Sequence, residues 1–155
     1  MKKIILILLV LLSYSLSIAQ TLPLNGLVLH YDAQDIDGDG DFTDQPSNGS
    51  IISSWTNQSS SANAIASAGN EPTFNANGIN VNGAINFDGT NDLVTIANST
   101  DLNTEPQTNE ISLAIVLETG ASVAGEQIIY EQGGGLRGYS FAIQNNHIYA
   151  GVWNS

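Results

Sequence analysis

Tyr139-Ser140-Phe141-Ala142-Ile143-Gln144-Asn145-Asn146-His147-Ile148-Tyr149-Ala150-Gly151-Val152-Trp153 is the stretch whose pattern decides the fold class. Its first six residues alternate. Tyr139, Phe141 and Ile143 point to one side of an extended chain while Ser140 and Gln144 point to the other, which is the period-2 signature of a half-buried strand. Asn145-Asn146 then separates this run from His147–Trp153 at the length of a two-residue hairpin loop. Both asparagines tolerate the positive φ that a type I′ turn demands.

Working outward, the same pattern recurs. Candidate strands are Leu27–Tyr31, Ile51–Trp55, Ala84–Phe87, Asp92–Ile96, Ile111–Glu118, Gln127–Glu131, Tyr139–Gln144 and His147–Trp153. No segment keeps a 3.6-residue apolar period over three turns, so helix is expected to be nearly absent. Asp88-Gly89-Thr90-Asn91 predicts a second hairpin, joining Ile85-Asn86-Phe87 to Leu93–Ile96. The polar, Ser/Asn/Ala/Gly-rich stretch between Trp55 and Ala84 predicts a surface excursion. Short strands with turn chemistry between them point to an all-β antiparallel sandwich.

Composition narrows the functions available. The chain has 155 residues, 3 Lys+Arg against 15 Asp+Glu, a net charge of −12 and no cysteine. That length suits one modest domain. Such a charge repels phosphate backbones and anionic lipid, so nucleic acid and electrostatic membrane docking are not expected partners. Without cysteine there are no disulfides, thiolate metal sites or thiol nucleophiles. Met1-Lys2-Lys3, the aliphatic run Ile4–Leu12 and Ser17-Ile18-Ala19 together have the form of a secretory signal peptide over residues 1–19, with the mature domain over 20–155. The apolar run is too short to span a bilayer. Cleavage there leaves Arg137 as the only Lys or Arg.

Asp35-Ile36-Asp37-Gly38-Asp39-Gly40-Asp41 carries the most specific chemistry. Carboxylates at alternating positions around glycines can converge on a hard cation, and calcium takes six to eight oxygens in such loops. Asp35, Asp37 and Asp39 supply side chains, Gly40 the sharp turn, and Asp41 a backbone carbonyl. Pro46 occupies the position where an EF-hand has a bidentate glutamate, and no amphipathic helix flanks the loop, so an EF-hand is not expected. A structural calcium loop and a solvated acidic turn both fit this pattern.

Catalytic signatures are sparse. Glu126 and Glu131 are five residues apart, which places them on opposite faces of a regular strand and not as a facing pair of glycosidase carboxylates. Neither an H-E-x-x-H zinc motif nor a G-x-S-x-G elbow is present. His30 and His147 read as strand residues. Gly133-Gly134-Gly135 reads as a flexible turn, since no Lys-Ser/Thr pair or helix follows it.

Three groups of residues carry a family resemblance in their order along the chain. They are Gly26–Ala33 with Ser54–Ser59, Asn86-Phe87-Asp88-Gly89-Thr90-Asn91-Asp92, and Tyr130–Gly134 with Gly138–Phe141 and Tyr149–Asn154. Together they resemble the laminin-G-like, concanavalin A-like lectin/glucanase superfamily of secreted bacterial proteins, over nearly all of the mature chain. Asn57 stands where that pattern has an aspartate, and the closing strands of the fold are expected to lie beyond Ser155. The resemblance implies a two-sheet jelly roll. It also implies a non-catalytic carbohydrate-binding or adhesion module, secreted or at the cell surface, whose partner is a glycan or a surface protein. The alternatives are the N-terminal part of a polysaccharide-degrading enzyme or a structural spacer. Sugar recognition would use exposed aromatic rings, for which Trp55, Tyr149 and Trp153 are the candidates. Asp35, Asp37, Asp39 and Asp41 are the candidate calcium ligands.

Overall fold

A computed structural model describes residues 25–103 and 111–154. They form an all-β architecture of short antiparallel sheets. Among the described residues helix is confined to a 3-10 turn at Ile79–Val81 and a single helical turn at Thr100–Asn103. The strands are β1 (Ser54–Trp55), β2 (Ala64–Ala66), β3 (Thr73–Asn75), β4 (Ala84–Asn86), β5 (Val94–Ile96), β6 (Glu126–Gly133), β7 (Arg137–Gln144) and β8 (His147–Asn154). They assemble as β1-β2-β5, β3-β4 and β6-β7-β8.

The C-terminal sheet follows the sequence pattern closely. β7 and β8 pair from Arg137↔Asn154 to Gln144↔His147 without a slip. Asn145 and Asn146 take φ of 50° and 65°, as a type I′ turn requires. The turn between β6 and β7 is closed by Gly134 N donating to Arg137 O at 2.8 Å. Gly133 has φ of 125°, and a Cβ there would collide with the backbone of Arg137 and Gly138, so only glycine fits. Tyr130 and Tyr139 stack across β6 and β7 at 5.9 Å between ring centroids. Both hydroxyls donate to Gln132 Oε1, and Gln132 Nε2 donates to Leu102 O, which ties this sheet to the preceding segment. Burial raises the pKa of both phenols.

The N-terminal part is built differently. Its core is Ile36, Ile52 and Phe74, with Ala33, Trp55 and Ile85 packed around them. The polar stretch after Trp55 is not a surface excursion. It supplies β2 and β3, and Ala64, Ala66, Pro72 and Phe74 are buried. In β2 the two alanines face inward opposite Ile96 and Val94 of β5 while Ile65 points out. Small residues against large ones fill that layer, so β2 lacks the bulky alternation that marks a strand in sequence.

Three other expectations are corrected. β4 and β5 do not form a hairpin, because β4 pairs with β3 and β5 with β2. The Asp88–Asn91 turn instead carries the chain from one sheet to the next. It is held by Thr90 N and Asn91 N donating to Asp88 Oδ1 at 2.7 and 3.2 Å. Leu27–Tyr31 forms no ladder; its backbone bonds go to a loop, with His30 N donating to Asn57 Oδ1 at 2.8 Å and His30 O accepting from Gln58 N at 2.8 Å. Ile111–Glu118 forms no ladder among the described residues either. Ile111, Leu113 and Ile115 lie across β7 and β8, bounding a cleft of about 260 Å³ with Tyr139, Phe141, Ala150 and Val152. Strand propensity was present there, but propensity does not supply a hydrogen-bonding partner.

The proposed signal peptide lies outside the described residues. Among those that are described, no helix is long and apolar enough to cross a membrane.

Candidate functional site

The acidic loop is shaped by its own backbone. Asp35 is buried, and its two carboxylate oxygens accept from Gly38 N at 2.9 Å and Gly40 N at 3.1 Å. Gly38 and Gly40 have φ of 74° and 86°. A side chain at Gly38 would also strike Thr56, so glycine is required there for both conformation and space. Carboxylate oxygens of Asp35, Asp37 and Asp39 come within 4.8 Å of one another. Asp41 is turned aside: its Oδ1 accepts from Thr43 N at 2.9 Å and Thr43 Oγ1 at 2.6 Å, and these bonds lower its pKa. Asp44 is pushed upward, first by desolvation and then by repulsion from Asp39, Asp37 and Asp41.

Asn57 clarifies the neighbouring loop. It is buried, and its Oδ1 accepts from His30 N at 2.8 Å, Ser59 N at 3.2 Å and Ser59 Oγ at 3.0 Å. Its Nδ2 donates to Val28 O at 3.1 Å. An aspartate could accept those bonds but could not donate to Val28, and it would set a carboxylate against a carbonyl. The residue is a polar staple between residues 28–30 and 57–59, and this accounts for asparagine at that position.

Tyr149 and Trp153 are brought onto one surface. In the β7–β8 register, His147, Tyr149, Gly151 and Trp153 share a face with Gln144, Ala142, Ser140 and Gly138. The opposite face carries Tyr139, Phe141, Ile143, Ile148, Ala150 and Val152 and adjoins the cleft under Ile111–Ile115. Tyr149 is 49% exposed and its ring lies 6.5 Å from that of His147. Trp153 lies against Gly138, where a Cβ would drive into the indole, and its Nε1 donates to Gly134 O at 2.8 Å. Four residues of strand set their two backbone positions about 13 Å apart. Trp55 lies elsewhere: its indole donates to Asp32 O at 2.9 Å, its ring sits 5.4 Å from Tyr31, and it packs against the N-terminal core.

One feature of this face was hidden in the sequence. β6 bulges between Ile128 and Tyr130, so Glu126 pairs with Gln144 and Glu131 with Ser140. Gln144 and Ser140 are on the same side of β7, so Glu126 and Glu131 share a face in spite of their odd separation. This corrects the opposite-face expectation. Both glutamates are exposed, on the surface that carries Tyr149 and Trp153. No glycine or proline marks the bulge in Ile128-Ile129-Tyr130, so sequence had no signal for it. The bulged register leaves the two backbones about 13 Å apart along the strand.

No protein-family model, curated protein or solved structure matches the chain.

Proposed function

We propose that the chain is a non-catalytic carbohydrate-binding or adhesion module of a secreted or cell-surface bacterial protein, built on a two-sheet jelly roll of the laminin-G-like type. The observation that carries this reading is the outer face of β6-β7-β8. It combines aromatic rings at Tyr149 and Trp153 with hydrogen-bonding side chains at Ser140 and Gln144 on the adjacent strand. Pyranose rings present apolar faces that stack on aromatic groups and hydroxyls that pair with amides and hydroxyls. Trp153 is held by Gly138 beneath it and Gly134 beside it, so little rotamer freedom is lost on binding.

The same reading makes calcium a structural ion at Asp35, Asp37 and Asp39. Three converging carboxylates fit part of a calcium shell, and carbonyl or water oxygens would complete it. A cation there would relieve the repulsion from Asp39, Asp37 and Asp41 that adds to desolvation in raising the Asp44 pKa.

Titrating the full chain with a panel of soluble oligosaccharides while following tryptophan fluorescence tests the binding face. Saturable binding by one or more glycans, lost in Tyr149→Ala and Trp153→Ala, is the expected result. Absence of binding across the panel, with the chain folded, overturns it.

A further inference from the structure

Resting on the glycan-binding reading above, we infer that the outer face of β6-β7-β8 selects amine-bearing, cationic glycans over neutral and uronic-acid ones. The bulge in β6 is what brings this about. It places Glu126 and Glu131 on the face that bears Tyr149 and Trp153, at the level of Gln144 and Ser140 on the middle strand. A regular strand would have sent one of the two glutamates to the opposite side.

Neighbouring strands are about 4.8 Å apart, so Glu131 lies two strands, or about 10 Å, from the β8 backbone at Gly151. That is on the scale of a sugar residue with its substituents. A chain lying along Tyr149 and Trp153 therefore presents its ring substituents toward β6. A protonated amine meets a carboxylate there, an acetamide gains no charge contact, and a uronate is repelled. His147 is the only potentially basic side chain that the register places on this face, and Arg137 belongs to the other one. The net charge of −12 adds a long-range field of the same sign, attracting cations and repelling polyanions.

Exposed ion pairs are individually weak, so the expected preference is roughly two- to fivefold per carboxylate and shrinks with added salt. The test compares a glucosamine oligosaccharide, its fully N-acetylated counterpart and an oligogalacturonate of similar length. All three are titrated into the full chain at mildly acidic pH, where the glycan amines carry protons. The glucosamine oligosaccharide should bind tightest and the oligogalacturonate weakest. Glu126→Gln and Glu131→Gln should each narrow the gap between the cationic and neutral ligands by that factor. Equal binding of cationic and neutral ligands, or a gap that both substitutions leave intact, overturns the inference while leaving glycan binding standing. Binding by none of the three overturns the inference. If the wider oligosaccharide panel is also silent, the reading on which it rests fails too.

Discussion

The two halves of this protein are both antiparallel β, yet they are held together by different chemistry. In the C-terminal sheet three eight-residue strands pair in long ladders, and alternation assigns each side chain to a face. In residues 25–103 no strand exceeds three residues. There the chain is fastened by side chains bonding to backbone: Asn57 to Val28 and His30, Asp35 to Gly38 and Gly40, Asp88 to Thr90 and Asn91. A ladder repeats one interaction and tolerates local change, whereas each staple is unique and its loss leaves its partner groups unpaired, at greatest cost where they are buried, as around Asn57. The first half should therefore be the more fragile under single substitutions.

The largest effect is expected from Phe74→Ala, which removes a buried ring from the small core around Ile36 and Ile52. Such truncations cost about 3–5 kcal/mol. Hydrogen exchange should show protection lost across residues 25–103 before β7 and β8 lose theirs; simultaneous loss would show that the two parts unfold as one unit. Next comes Asn57→Ala, which strands the amides of His30 and Ser59 and takes from the carbonyl of Val28 one of its two donors, the other being Ser59 Oγ, at about 1–3 kcal/mol. Denaturant unfolding measures it, and Asn57→Asp should recover only part, because a carboxylate restores the acceptor for His30 and Ser59 but not the amide donor to Val28, and sets a charge beside that carbonyl.

The ladder half is probed by Asn146→Val. A β-branched residue at φ of 65° should cost about 1–2 kcal/mol, while Asn146→Gly should be neutral or stabilising. Equal effects from the two would show that the turn does not set the register.

The smallest effect concerns pH. Tyr31 donates to Ala62 O at 2.6 Å, and burial, aided by Tyr130, pushes its pKa from 10.0 up to about 12. A raised phenol pKa means that the folded state holds the proton more tightly. Its contribution is complete below the unfolded value near 10 and is lost as pH rises through about 12. Urea midpoints should fall across that window, and Tyr31→Phe should flatten the slope. At the acid end the Asp88 pKa is lowered, chiefly by the Thr90 amide, so that turn is stabilised above the ordinary aspartate range and loosens as pH falls through the lowered value.

Much of this was legible beforehand, and unevenly so. Alternation in Tyr139–Gln144 and the Asn145-Asn146 pair assign β7, β8 and their turn because a period of two and a positive φ are local properties. The convergence of Asp35, Asp37 and Asp39 was equally local, since it depends on glycines within the same loop. Ala64–Ala66 carries no strand signal of its own, because its buried face is two alanines whose burial depends on Val94 and Ile96, about thirty residues away. Ile111–Glu118 has the propensity of a strand but pairs with no other strand among the described residues, and a strand needs both.

By itself, then, the sequence determined an all-β, acidic, cysteine-free chain with a hairpin at its C-terminal end and a loop of close-set aspartates. Tertiary structure decided that Asn57 is a staple, that Trp55 belongs to the N-terminal core, and that Glu126 and Glu131 share the face of Tyr149 and Trp153. The reason is common to all three. Which neighbour buries a group, or which residue a partner strand skips, is set by contacts between segments distant in the chain, and residue order alone does not specify those contacts.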